Sequence, residues 1–504
     1  MTAVRGSGFG WRHVVMFLGF LGFFVIYSLR VNLSVALVSM VNHTATAAPN
    51  LSLAGSYSES CNRGNHSSTS GSDQRDGEFA WTEKQRGIVL GSFFYGYILT
   101  QIPGGWMAGK YGAKWIFGLG TVWTALLTLL TPVAARAGIG LLITVRILEG
   151  IGEGVTWPAM HALLAHWATP LERSKFPTFV YSGTYIGTVV AFIASGYLSA
   201  SNFLGGWPSV FYVFGAFGCI WFVLWAVLSS SSPSTSRWIS YDEKEYLISA
   251  CSDAEKHATE MSELGVPWRS ILTSMPVWAI IVSHTTYNWG FYTLLTELPA
   301  YFRNILGFDI KKNGLLSALP YICQTVVQIS AGQIVDRLRA SGFNTTFLRK
   351  VADGLGHFVP ALCLIIVGFI GCNSAVATLL LTLSVSTAGM CGAGYLVNHL
   401  DVAPQYSGLL YGLSNTFATI PGIIGPYIVG VITNKNETLS AWRKVFYISA
   451  GVYLFGLIFY LIFGDGNVQK WALRQREPSI ELEDKSLENG VKQEEAKRVN
   501  SRLF

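Results

Sequence analysis

The sequence predicts an all-α polytopic membrane protein with twelve transmembrane helices in two six-helix repeats. Three observations predict it. Charged residues are 13% of the 504-residue chain, about half the share in a soluble globular domain. Twelve mostly apolar runs reach the ~20 residues that a helix needs to cross a bilayer. They lie at 14–41, 86–108, 115–135, 138–168, 177–200, 209–229, 276–301, 313–335, 355–372, 375–399, 408–432 and 445–463. A polar segment, 230–274, divides them six and six.

The first run follows Arg5 and Arg12. It is too long for the apolar core of a signal peptide, and no small-residue cleavage site follows, so it reads as a retained span. The expected organisation is a cytoplasmic tail, 1–13, and an N-terminal bundle, 14–229, with a lumenal or extracellular loop at 42–85. A cytoplasmic linker, 230–274, leads to a C-terminal bundle, 275–464. The last segment, 465–504, has almost no apolar face and reads as a disordered cytoplasmic tail.

Two features orient the chain. Asn42-His-Thr, Asn50-Leu-Ser and Asn65-His-Ser are glycosylation triplets within one Ser-rich loop. Asn436-Glu-Thr falls on the same side by count, whereas Asn32-Leu-Ser and Asn344-Thr-Thr read as silent. Lys110, Lys114, Arg173, Lys175, Arg337, Arg339, Arg349 and Lys350 then fall in cytoplasmic loops, as the positive-inside rule expects.

The halves echo each other. Gly105-Trp-Met-Ala-Gly109-Lys110-Tyr-Gly112-Ala-Lys114 follows the second span, and Gly332-Gln-Ile-Val-Asp336-Arg337 follows the eighth. Pro170-Leu-Glu-Arg173-Ser174 follows the fourth, and Pro404-Gln-Tyr-Ser407-Gly408 the tenth. Such repeats place a substrate site between the halves near the bilayer midplane. Seven cysteines without a C-x-x-C pair exclude a disulfide scaffold or zinc module. The basic residues form no stripe for nucleic acid. No metal or cofactor is expected. The expected partners are a small organic anion and the lipid bilayer, with the chain a monomer.

Ionisable residues inside spans are costly and mark pathways. The first span holds Arg30. The fourth holds Arg146, Glu149 and Glu153, with His161 further on. The seventh holds His284 and Glu297, and the tenth ends in His399 and Asp401. At about 100° per residue, Glu149 lies about 60° and Glu153 about 20° from Arg146, so one face carries all three. An internal salt bridge accounts for one carboxylate. Two carboxylates one turn apart suit a proton carrier, with Glu153 as carrier and Glu149 as structural partner. Pro158 should loosen this helix. Arg30 reads as a fixed cation for an anionic substrate, because guanidinium grips carboxylate bidentately. The alternative is an ion pair with a fourth-span Glu. Tyr95, Tyr97, Tyr287 and Asn288 could supply hydrogen bonds to a ligand. His161 and His284 read as satisfied core histidines.

Several motifs resemble the anion transporter family of the major facilitator superfamily. They are Leu29-Arg30-Val-Asn-Leu-Ser-Val-Ala-Leu37, Gly91-Ser-Phe-Phe-Tyr-Gly-Tyr97 leading to Gln101-Ile-Pro-Gly-Gly105, Gly152-Glu-Gly-Val-Thr156, Pro170-Leu-Glu-Arg-Ser174 and Asn415-Thr-Phe-Ala-Thr-Ile-Pro-Gly422. Tyr287-Asn-Trp-Gly-Phe-Tyr-Thr-Leu-Leu295 and Asn398-His-Leu-Asp401 are most similar to the family's sialic-acid exporters. The resemblance implies a major facilitator fold and proton-coupled symport of sialic acid and related acidic sugars by alternating access. It implies that Arg30 engages the substrate carboxylate, with Tyr97, Tyr287 and Asn288 around it, and that Arg146, Glu149 and Glu153 couple protons. The family's glutamate carriers hold an arginine where Tyr287 stands and a histidine where Leu90 stands, which argues against a dicarboxylate site here. The expected location is a lysosomal or vesicle membrane, with the plasma membrane as alternative, although neither tail carries an acidic dileucine signal. The alternative functions are potential-driven vesicular uptake of glutamate or aspartate, or sodium-coupled phosphate transport. A membrane-embedded enzyme is the remote reading, since no His-x-x-x-Asp or Asp-His-His-Cys motif occurs.

Overall fold

The computed structural model describes residues 10–42, 77–168, 175–249, 266–434 and 436–473. Asn50, Asn65, Arg173, the loop from Pro170 to Ser174 and most of both tails lie outside the described residues. Six spans precede the linker: α1 Trp11–Met40, α2 Glu83–Tyr111, α3 Ala113–Ala137, the pair α4 Ile139–Gly154 and α5 Thr156–Trp167, α6 Lys175–Ala200 and α7 Trp207–Leu228. Six follow: α8 Met275–Asn304, α9 Ile310–Ala340, α10 Thr345–Ile370, the pair α11 Ser374–Ala388 and α12 Tyr395–Val402, α13 Ser407–Thr433 and α14 Leu439–Phe463. Among the described residues the only β pairing is an isolated bridge, Val41 with Phe79.

Nine of these segments are long and apolar enough to cross a membrane. The other three spans are rich in interior polar residues. Helix α2 buries Arg86 and Gln101, α8 buries His284, Asn288 and Glu297, and α4–α5 is one span in two pieces. The outer surface is apolar instead, with Ile102 73% and Phe369 71% exposed. Polar groups inside and apolar ones outside is the distribution that lipid demands.

The two halves repeat each other's packing. Helix α1 lies on α6 and α7, α2 on α4, and α3 on α4 and α7. Six spans later, α8 lies on α13 and α14, α9 on α11, and α10 on α11 and α14. The halves meet along α2 with α13 and α6 with α9. Polar side chains stitch both seams: Gln101 Nε2 donates to Thr419 Oγ1 at 2.9 Å, and Tyr185 Oη donates to Gln328 Oε1 at 2.6 Å. Gly96 and Gly150 mark the crossing of α2 and α4, where a Cβ on either would overlap the other helix's backbone.

Local chemistry sets several ends. Thr82 and Gln85 form a capping box at α2, and Asp309 caps α9. Asn344, part of a silent glycosylation triplet, caps α10 by accepting the Phe347 N–H at 3.1 Å. Glu243 of the linker receives the Trp11 and Arg12 N–H groups at 2.8 and 3.1 Å, so the linker closes the N-terminus of α1. Pro158 supplies no N–H to the Gly154 carbonyl, and the fourth span breaks there.

The structure corrects one boundary in particular. Helix α10 begins at Thr345, ten residues before the apolar run at 355. Arg349 is therefore a buried helix residue, not a loop charge. Its Nε donates to Asp401 Oδ2 at 2.7 Å, and Arg339 lies 3.5 Å from the same carboxylate. Asp401 thus ties α9, α10 and α12 together near their ends.

On the opposite face, Arg136 grips Glu78 at 3.0 and 3.1 Å, and Trp207 Nε1 donates to the same carboxylate at 3.2 Å. The Arg136 hydrogen bonds hold the Glu78 carboxyl below the usual range. A depressed acid stabilises the fold above its unfolded pKa, and the contribution fades as pH falls through the folded value. Both partners are about half exposed (51% and 43%), so the effect stays under about 1 kcal/mol. Glu78→Gln should lower the unfolding midpoint slightly at about pH 7 and not at all at about pH 3. An equal deficit at both pH values in thermal unfolding would assign the loss to packing instead.

Candidate functional site

Arg30 on α1 is 6% exposed and is not the lone cation that the sequence suggests. Its Nη2 pairs with Glu153 Oε1. Its guanidinium also sits over the rings of Tyr27 and Tyr97, both at 4.7 Å, and of Phe93 at 5.0 Å. Nε and Nη1 of Arg30 and Oε2 of Glu153 are buried without a hydrogen-bond partner. Half of the guanidinium fork is therefore unused. Glu153 stands in the last turn of α4, at the negative end of the helix dipole, where threonine hydroxyls satisfy the Ile151 and Glu153 carbonyls. A carboxylate is tolerated there because Arg30 faces it.

The second pair is Arg146 with Glu149. Arg146 Nη1 donates to Glu149 Oε2 at 2.5 Å, and Thr128 and Thr131 donate to Oε1 at 3.1 and 3.3 Å. Glu149 is thus fully engaged, as a structural carboxylate should be. On the helical wheel Glu153 is nearer Arg146 in angle, although Glu149 is the structural partner expected from the sequence. Seven residues of rise is about 10 Å, however, while three residues is about 4.5 Å, and distance decides. Arg146 Nη2 also reaches the Arg30 carbonyl at 3.5 Å, joining the pairs.

Between the halves lies a cavity walled by Tyr27, Tyr97, Tyr185, Tyr287, Asn288 and Tyr395. Arg30 does not open into it. It lines a smaller void with Ser34, Leu90 and Arg146. The rings of Tyr27 and Tyr97 form the partition, touching Arg30 on one side and the cavity on the other. Tyr287 Oη accepts from Gln324 Nε2 at 2.8 Å, and Asn288 Nδ2 donates to the Ala418 carbonyl at 2.8 Å. Both residues meet the cavity with part of their hydrogen-bonding capacity already used.

Three other expectations divide. His284 is a satisfied core histidine, its Nδ1 3.1 Å from Ser414 Oγ, which bridges to His399 Nε2 at 2.9 Å. His161 is exposed rather than buried, with Nδ1 2.8 Å from Tyr181 Oη. Tyr95 points away from the site and is 40% exposed. The sequence also concealed a buried cluster, Asp353, His357 and Cys391, whose donor atoms all lie within 4.8 Å of one another. Its acid and imidazole sit on α10, in and next to the ten residues read as a loop.

With the geometry in place, comparison with known proteins gives the family. The profile of the Major Facilitator Superfamily matches residues 15–426. Sialin of Homo sapiens is 46% identical over 463 residues, 92% of this chain and 91% of that protein. Vesicular glutamate transporter 1 of Bos taurus is 40% identical over 462 residues, 92% of this chain and 78% of that protein. Among solved structures, a bacterial homolog of the human lysosomal transporter Spinster, in an inward-facing and occupied conformation, superposes with a TM-score of 0.66 at 14% identity, covering 90% of this chain and 97% of that one. A D-xylose–proton symporter gives 0.65 at 14% identity, covering 90% and 97%. The chain is a multi-pass secondary transporter of the Major Facilitator Superfamily, and it belongs to the anion transporter family within it that holds sialin and the vesicular glutamate transporters.

Proposed function

We propose that the protein is a proton-coupled symporter of organic monoanions, sialic acid and related acidic sugars, working by alternating access in a lysosomal or vesicle membrane. The observation that carries this reading is the half-used Arg30 fork held by Glu153. An incoming carboxylate takes Nε and Nη1 once Tyr27 and Tyr97 swing aside. Two carboxylates against one guanidinium cannot both stay charged in a buried site, so Glu153 accepts a proton and lets go. Anion and proton then travel together, and release of both restores the ion pair. Charge in the site is balanced before and after. The 46% identity to sialin supports the substrate class.

The direct test is uptake into proteoliposomes of sialic acid, glucuronate, glutamate and phosphate, with a pH gradient, a sodium gradient and a voltage imposed separately. Uptake of an acidic sugar driven by the pH gradient is the expected result. Uptake that follows only voltage or sodium would overturn the coupling.

Substitutions at four positions probe the parts. Arg30→Ala should weaken substrate binding by a factor of ~30 or more, the equivalent of roughly 2–5 kcal/mol for a truncated buried charge pair. Arg30→Lys restores charge without the fork and should recover only part. Unchanged affinity in well-inserted Arg30→Ala protein would remove Arg30 from the site.

Glu153→Gln mimics the protonated carboxyl. It should lose proton-driven accumulation yet keep substrate exchange. Glu149→Gln should chiefly lower stability, because it breaks the pair with Arg146. Normal pH-driven accumulation by Glu153→Gln contradicts its role as carrier.

Tyr287 offers a hydroxyl and a ring face but no charge, which suits the hydroxyls of an acidic sugar. A second carboxylate beside it would be desolvated without a partner, at a cost of several kcal/mol. Wild type should therefore prefer sialic or glucuronic acid to glutamate under a pH gradient, and Tyr287→Arg should shift preference toward dicarboxylates. Competition uptake in which wild type favours glutamate would refute the assignment.

A further inference from the structure

The C-terminal half holds a buried charge cluster that the exchange at Arg30 does not use. Asp353 and His357 stand one turn apart on α10, each 0% exposed. Asp353 Oδ1 accepts from Ser283 Oγ of α8 at 2.8 Å and from the Tyr395 backbone N–H at 3.4 Å. His357 Nδ1 lies 3.0 Å from the Asp353 backbone carbonyl and 3.4 Å from Asp353 Oδ2. On the other side of the ring, His357 Nε2 is 3.0 Å from Thr286 Oγ1. That hydroxyl also has the Val282 and Ser283 carbonyls at 2.9 and 3.1 Å, so it can donate to either side.

The place of this pair in the fold gives it leverage. The tenth span is broken between α11 and α12 by a 3-10 turn, Gly389–Ala393. Tyr395 is the first residue of α12, so the Asp353 carboxylate receives an N–H from the helix N-terminus. Gly394 permits the approach, since a Cβ there would overlap the Asp353 backbone. The same Tyr395 and its neighbour Leu396 wall the central cavity. The Tyr395 ring stacks on His284 at 4.9 Å and meets Tyr287 at 5.8 Å.

The other titratable groups around the pair are few. The tenth span contributes Cys391, whose Sγ is 3.4 Å from His357 Nδ1, and Tyr395. Helix α14 contributes Tyr453, edge-on to His357 at 5.7 Å, and Tyr460, with Tyr321 of α9 interacting with Tyr453. Arg349, one turn before Asp353, is paired with Asp401. On α8, His284 is turned to Ser414.

We infer that the Asp353–His357 pair is a second proton-binding site of the carrier, one that controls how firmly α12 holds its wall of the cavity. This rests on the proton-coupled reading above. In the unloaded state Asp353 is ionised and His357 neutral, with Nδ1–H directed at Asp353 and Nε2 accepting from Thr286. The arriving proton binds Nε2. Thr286 turns its hydroxyl hydrogen to the Val282 carbonyl and accepts from Nε2 instead. The pair goes from a charge of −1 to zero. Its carboxylate now serves an imidazolium, and its hold on the α12 N-terminus weakens. Both His357 and Asp353 are positioning residues, acting on the cavity through Tyr395.

Backbone hydrogen exchange tests this without any substrate. Full-length protein in lipid nanodiscs is compared at about pH 8 and about pH 5.5, either side of the usual histidine pKa, with intrinsic rates corrected. Protection across residues 391–398 should fall about three- to tenfold at the lower pH, the size of a helix-terminus charge interaction. In Asp353→Asn the segment should exchange fast at both pH values. In His357→Gln it should stay protected at both. A wild-type segment indifferent to pH, or a His357→Gln variant that keeps the wild-type response, overturns the inference. So does stoichiometric zinc in the purified protein, which would make Asp353, His357 and Cys391 metal ligands. If Asp353→Asn does not fold, wild type and His357→Gln decide between them. Failure of proton-driven uptake with the exchange response intact would sink the transport reading and leave this pair a proton site.

Discussion

Two guanidinium groups and two carboxylates are buried together in the N-terminal half, and their charges must cancel there. All four groups are buried, so each ion needs a counter-ion within hydrogen-bonding reach. Arg146 with Glu149 meets the requirement permanently, through an ion pair and two threonine hydroxyls. Arg30 with Glu153 meets it with unused capacity on both sides. The carboxylate of the first pair is fully engaged, and the second pair is the contact that the proposed function exchanges. The position of the fourth-span break, the glycines that bring α2 onto α4 and the ring wall of the cavity all serve to hold these four side chains in register.

The internal repeat gives the second half the same scaffold with different chemistry. Spans four and ten both break, the one at a proline and the other at a glycine-rich turn. Each break places a carboxylate at a helix end: Glu153 at the C-terminus of α4, and Asp353 at the N-terminus of α12. The dipole opposes the first and favours the second. Glu153 accordingly depends on a cation, while Asp353 is held by Ser283, a backbone N–H and a histidine.

Much of this was legible in the sequence, for a physical reason. An ionisable residue within an apolar run is conspicuous, so Arg30, Arg146, Glu149 and Glu153 stood out before any coordinates. The pairing was legible only in part: Glu149 was expected as the structural partner and a fourth-span Glu as an alternative partner for Arg30, but a helical wheel gives angle and suppresses rise, so it did not say which Glu Arg30 meets. The Asp353–His357 cluster stayed hidden for the converse reason. Arg349, Lys350 and Asp353 lower the apolar content before residue 355, which then reads as loop, while His357 lies inside the run at 355–372 without having been singled out. A helix that buries many polar groups erases the hydropathy by which spans are found. Tyr287 and Asn288, singled out as hydrogen-bonding candidates, line the central cavity, but their bonds to Gln324 and Ala418 come from elements far away in sequence.

The rings around Arg30 bear on speed. A cation changing partners in a dry site would ordinarily pass through a bare intermediate, and the barrier would be the cost of that desolvated charge. Four aromatic faces lie within 6.0 Å of the guanidinium carbon, and those of Phe93 and Phe94 stay beside it when Tyr27 and Tyr97 swing aside in the proposed exchange. Each offers electron density without a competing formal charge. One anion can therefore depart before the next has fully arrived. Under the proposed exchange at Arg30, the cage lowers the saddle between two bound states while leaving their difference in free energy nearly untouched, the behaviour of a fast exchanger rather than a tight binder.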